Sequence, residues 1–166
     1  AAGVRRVAAE ELRAHGREDQ AMVLLEEAIN WYESQPPEVL APIRESYALT
    51  LYCARSWEKA KRVYEEILEK LPGDSATVLR CVSRLGLIAA RQGDRARALE
   101  VSSRLSEVSL PYRFGTDSYN RACIAAILGD REQAVALLKE SFLLGNSFSI
   151  RLHKDFDFET LWDYPP

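Results

Sequence analysis

Apolar residues along this chain recur at intervals of three and four. They stand at Val78, Val82, Leu85 and Ala89 in one stretch and at Ala134, Leu137, Leu138 and Phe142 in another. That spacing places them along one face of an α-helix. No run alternates apolar and polar residues for long, and no Asn-Gly hairpin turn occurs, so strands are not expected. The punctuation between periodic stretches repeats. Gly93 and Gly129 stand at predicted helix ends, where a left-handed residue closes the last turn. Asp94 and Asp130 follow as N-caps whose side chains can accept from free backbone N–H groups. Pro36-Pro37 and Pro72 are expected to close two further helices.

A fixed period underlies these breaks. Ala21, Ala60, Ala98 and Ala134 each follow a turn and open a helical stretch, at separations of 36 to 39 residues. Each unit reads as two helices joined by a short turn, over residues 2–36, 38–73, 75–111 and 115–145, with a tail at 146–166. An alanine at a helix crossing lets two backbones approach closely. One such hairpin cannot bury its own apolar face, so neighbours must stack to make a core.

The motif carried by these units resembles the tetratricopeptide repeat, a helix-turn-helix of roughly 34 residues with the pattern W-x2-L-G-x2-Y…A-x3-F…A…P. The second unit matches it with Ala48, Leu51, Ala60, Tyr64, Ile67 and Pro72, and the third with Val82, Leu85, Gly86, Ala89, Ala98, Ser102 and Leu105. The fourth matches with Ala122, Ala125, Gly129, Ala134 and Leu138, and the first with Ala8, Ala9, Leu12, Gly16, Ala21, Leu25 and Ala28. The resemblance implies a right-handed superhelical array of about four repeats, forming a single domain over 1–166. The tail, with Phe156, Phe158, Leu161 and Trp162 among acids, resembles the segment that closes repeat arrays in bacterial multidomain regulatory proteins. It is expected to cap the apolar end of the stack. The N-terminus opens inside a helical pattern and the C-terminus stops abruptly, so both ends read as cuts from a longer chain.

Charge and candidate chemistry narrow the function. The 166 residues carry a net charge of −3, whereas nucleic-acid-binding domains are usually basic. No apolar run is long enough for a membrane-spanning helix. Cys53, Cys81 and Cys123 are too widely spaced for a zinc site or a disulfide framework and suit buried positions in a reducing, cytoplasmic setting. The two histidines, His15 and His153, are far apart in sequence, and no GxSxG, HExxH or phosphate loop occurs. Asp155, Asp157 and Glu159 alternate as metal ligands can, but lack the spacing of a calcium-binding loop. No catalytic residue, metal or cofactor is expected.

The resemblance locates a ligand site instead. In tetratricopeptide arrays the first helix of each unit lines a concave groove. Transferred to this chain, the groove positions are Arg80, Arg84, Leu87 and Arg91 in the third unit, and Tyr119, Asn120 and Cys123 in the fourth. Glu45, Leu49 and Tyr52 are the positions in the second unit, and Arg6 and Arg13 those in the first. Arg80, Arg84 and Arg91 share a helix face, and guanidinium groups grip carboxylates bidentately. The expected partner is therefore another protein, offering an acidic or C-terminal peptide. Glu45 and Leu49 stand where chaperone-tail binders carry Lys and Asn, which argues against that ligand. The alternative is a scaffold that self-associates or docks on its own upstream domain; RNA binding is less favoured, and an enzyme comes last.

Overall fold

In the computed structural model the described residues are 2–71, 73, 75–108, 110–147, 152 and 155–164, and among them the protein is all-helical. The chain divides into two compact units, Ala1–Gly73 and Asp74–Pro166.

The first unit contains α1 (Ala2–Ala14), α2 (Glu18–Glu33), α3 (Pro37–Leu40), α4 (Arg44–Cys53) and α5 (Trp57–Lys70). Helix α2 packs on α1, and α5 on α4. Its core holds Ala9, Ala21, Leu25, Ala28, Leu51, Tyr52, Ala60 and Tyr64. Tyr32 and Tyr47 stack in a tilted arrangement 5.4 Å apart. The stretch before α4 departs from expectation. Pro42 interrupts the helical pattern, and Ala41–Ile43 form a 3-10 turn there, because proline has no N–H to donate to the α-helical ladder. Pro37 opens α3 rather than closing α2, which ends at Glu33. Pro72 lies outside the described residues.

The second unit contains α6 (Ala76–Arg91), α7 (Arg95–Ser106), α8 (Thr116–Ile127) and α9 (Arg131–Leu143), followed by a 3-10 turn over Phe156–Leu161. Helix α6 packs on α7 and α8, and α8 on α7 and α9. Gly86 is where α6 meets α7: a Cβ there would lie 2.5 Å from Val101 Cγ1 and 2.9 Å from Val101 Cβ.

Four hairpin turns use one hydrogen-bond pattern. At the end of α6, Gly93 N–H donates to Ala90 O and Asp94 N–H to Ala89 O; at the end of α8, Gly129 N–H donates to Ala126 O and Asp130 N–H to Ala125 O. Gly16 and Arg17 repeat this with Arg13 O and Leu12 O, and Arg55 and Ser56 with Tyr52 O and Leu51 O. This is the Schellman closure, whose pivot adopts positive φ. Three pivots are glycine, and the fourth is Arg55 at φ 57°. Asp94 and Asp130 cap the following helices by accepting from Arg97 N–H at 3.0 Å and Gln133 N–H at 3.4 Å. Ala21, Ala60, Ala98 and Ala134 have no exposed surface, in keeping with their place at the crossings.

Candidate functional site

The arginine stripe of α6 runs into the chain's own tail. Arg91 stands in the last turn of α6, where a cation suits the helix dipole. Its guanidinium donates to Glu159 Oε1 at 2.6 Å, Phe156 O at 2.9 Å and Asp157 Oδ1 at 3.1 Å. It also lies over the Phe156 ring, 5.0 Å from the centroid, a cation–π distance. Arg84, two turns earlier, stands 3.8 Å from Asp157 Oδ2. Asp157 is 2% exposed, and a carboxylate so buried demands compensating charge. Two arginines of α6 supply it.

Helix α8 forms the other side of the site. Tyr119 donates its hydroxyl to Asp155 Oδ2 at 2.6 Å. Its ring meets Phe158 edge-on at 5.3 Å, a favourable aromatic geometry. Burial, then the neighbouring Asp155 carboxylate, pushes the Tyr119 hydroxyl well above its ordinary pKa, so it remains a donor. Asp155 also holds the tail's turn by accepting from Asp157 N–H at 3.0 Å. Thr160 donates at 2.8 Å to Ala126 O, the carbonyl near the end of α8 that also accepts from Gly129 N–H. Phe156 and Phe158 are buried, Leu161 is half-buried, and Trp162 is 62% exposed. The expectation that all four would cover the end of the stack is corrected. Phe158 packs on Tyr119 of α8 and Phe156 lies against Arg91 of α6, while Trp162 is largely exposed.

Cys123, Asp155 and Asp157 converge, with ligand-type atoms within 4.8 Å of one another. Burial, followed by the two carboxylates, pushes the Cys123 thiol well above its ordinary range. Asp157 faces two guanidinium groups and Asp155 accepts from Tyr119.

The remaining predicted positions divide. Arg80 is exposed and donates to Thr77 Oγ1 at 2.8 Å. Asn120 is half-buried and donates to Ser83 Oγ at 3.2 Å. Leu87 and Tyr52, expected as groove residues, are core residues with no exposed surface. Tyr52 packs edge-on against Trp57 at 5.0 Å. Glu45 and Leu49 are half-buried on α4 in the first unit. Arg6 pairs with Glu10. Arg13 is buried and grips Glu18 bidentately while donating to Cys53 O at 3.0 Å, so it ties α1 to α2 and α4. His153 lies outside the described residues.

The residues missed at this site are the acids of the tail as counter-ions of α6. Asp-Phe-Asp-Phe-Glu at 155–159 sets acids and aromatics in alternation. Its complementarity to Arg84 and Arg91 was the signal available. Among the described residues no helix is long and apolar enough to cross a membrane. The chain matches no family model, no curated protein and no solved structure.

Proposed function

We propose that the chain is a protein-interaction module, a right-handed superhelical array of four tetratricopeptide-type hairpins within a larger bacterial protein, which binds an acidic peptide along its first helices. The repeated Schellman turns and the buried alanines at the crossings support the repeat assignment. The observation that carries the ligand assignment is the burial of Asp157 between Arg84 and Arg91. That face of α6 already accommodates a carboxylate between two aromatic rings. Its chemistry is recognition rather than catalysis, and it calls for no cofactor. The three buried cysteines form no disulfide among the described residues and suit a reducing cytoplasm.

The test is a peptide array of graded composition, probed with the full chain and with an Arg80→Glu, Arg84→Gln variant of unchanged helicity. Acidic, aromatic peptides should be retained by the wild type and lost by the variant. Retention of basic or apolar peptides, or equal retention by both proteins, would refute the reading.

Self-association is favoured by a separate observation. Leu143, Tyr112, Phe114 and Leu144 are 88%, 85%, 61% and 55% exposed. The rings of Tyr112 and Phe114 stand 6.2 Å apart, and Phe114 reaches Gly145 beside the two leucines. Clustered exposed apolar residues mark association surfaces. Sedimentation should then show a mass that rises with concentration in the wild type and stays monomeric in Phe114→Ser, Leu143→Glu.

A further inference from the structure

The tail occupies its site with ligand-like chemistry. What docks is a short 3-10 helix, Phe156–Leu161, that adds no α-helix to the stack. It is held by Arg91 and Arg84 on Asp157 and Glu159, by Tyr119 on Asp155, and by Phe156 and Phe158 buried beside them. The scaffold beneath it is assembled without it, since α6, α7, α8 and α9 pack on one another directly. A peptide bound by a helical-repeat protein uses the same elements: aromatic anchors in pockets and carboxylates on arginine.

We infer that the tail is an intramolecular pseudo-ligand, and that the α6–α8 face recognises partner proteins through a segment of the form aromatic-acid-aromatic-acid, which must displace the tail to bind. The inference rests on the peptide-binding reading above and specifies both its ligand and its regulation. The central acid enters between Arg84 and Arg91, the following acid meets the outer side of Arg91, and the aromatics flank the central acid. A lysine or an uncharged residue at the central position removes the buried carboxylate that both guanidinium groups face and leaves Arg91 with the following acid. Tethering sets the threshold. The tail is joined to α9 by a short connection, so its effective concentration at the site is on the order of millimolar. A free peptide of micromolar affinity is then weakened by roughly 1000-fold in the intact chain.

The experiment uses the full chain with a protease site inserted between Asn146 and Ser147, and a fluorescent peptide copying residues 152–164. Polarisation and circular dichroism are followed before and after cleavage. The expected result is weak binding to the intact chain and binding at least about tenfold tighter after cleavage, at constant helicity, with loss of binding when the peptide carries Asp157→Lys. Placing that substitution in the peptide leaves the folding of the protein untouched. Loss of helicity as the tail departs would overturn the inference by making the tail part of the core. Equal binding before and after cleavage would overturn it while leaving the peptide-binding reading standing. Equal binding of the Asp157→Lys peptide would overturn the assigned ligand chemistry. Failure of any peptide to bind either form, or a dimer formed by exchanged tails, would overturn both.

Discussion

Gly86 and Ala98 show how little room a helix crossing leaves. Gly86 stands where α6 meets α7, the nearest atoms to a new Cβ on it belonging to Val101, and Ala98 of α7 has no exposed surface. Ala98→Leu should cost the second unit about 1–3 kcal/mol through overpacking. Gly86→Ala should also destabilise, despite the better helix propensity of alanine. Urea melts of the two variants check this; two neutral results would place the crossing elsewhere. Glu18 makes a second residue-scale case. The Arg13 guanidinium donates to it at 2.7 and 3.0 Å. That hydrogen bonding, working against partial burial and aided by the charges of Arg13 and Arg55, holds its carboxyl below the usual range. A lowered folded pKa means the contribution is complete above the unfolded value and disappears as pH falls through the folded one. Stability measured from about pH 6 to about pH 3 should therefore show the gap between wild type and Glu18→Gln narrowing on acidification. A gap that stays constant would mean that the Arg13 pair does not favour the charged form.

Among the helical elements, the turns were the most legible part of the sequence. Gly93-Asp94 and Gly129-Asp130 announce a left-handed closure followed by an N-cap, and both form as read. The second hairpin hid the same geometry, because its pivot is Arg55, a residue type that composition alone assigns to a helix surface. This makes a controlled comparison. An added Cβ at Gly93 would meet nothing within 4 Å, so Gly93→Ala isolates the backbone penalty and should destabilise by about 1 kcal/mol. Arg55→Gly should relieve a similar strain. It also removes the exposed contact with Glu18 at 3.9 Å, which is worth little in solvent, leaving a net gain of up to about 1 kcal/mol. Thermal or urea unfolding reads both signs, and destabilisation by Arg55→Gly would show that the side chain matters more than its φ. The break at Pro42 was written in the chain as a residue that cannot donate to the helical ladder, and the reading by repeat units passed over it. The groove positions failed differently. Repeat register identifies the helix, but not the depth at which each side chain ends, so Leu87 and Tyr52 turned out buried while Arg80 stayed exposed.

At the scale of the whole molecule, the tail illustrates what periodicity does not carry. Its aromatics predicted burial, and that expectation took no account of the acids between them. In the structure they work together: Asp157 is buried because Phe156 and Phe158 bring it to Arg84 and Arg91. Such pairing joins residues far apart in sequence, and only three-dimensional proximity exposes it. Whether this segment opens separately from the hairpins has a direct readout in hydrogen exchange. The amides of Asp157 and Phe158 are bonded within the tail, to Asp155 Oδ1 and Asp155 O, whereas those of α8 belong to a helix packed on α6, α7 and α9. A separately opening segment exchanges with a lower free energy and with little dependence on urea, because opening exposes little surface. The tail amides should therefore exchange at least about tenfold faster than the amide of Cys123, with a flat response to low urea, while α8 tracks global unfolding. Equal protection and equal urea dependence would make the tail inseparable from the hairpins that hold it. Fast exchange with intact helices would mean that the arginine face is vacated and refilled in the native protein, the condition under which another acidic segment can take the place of this one.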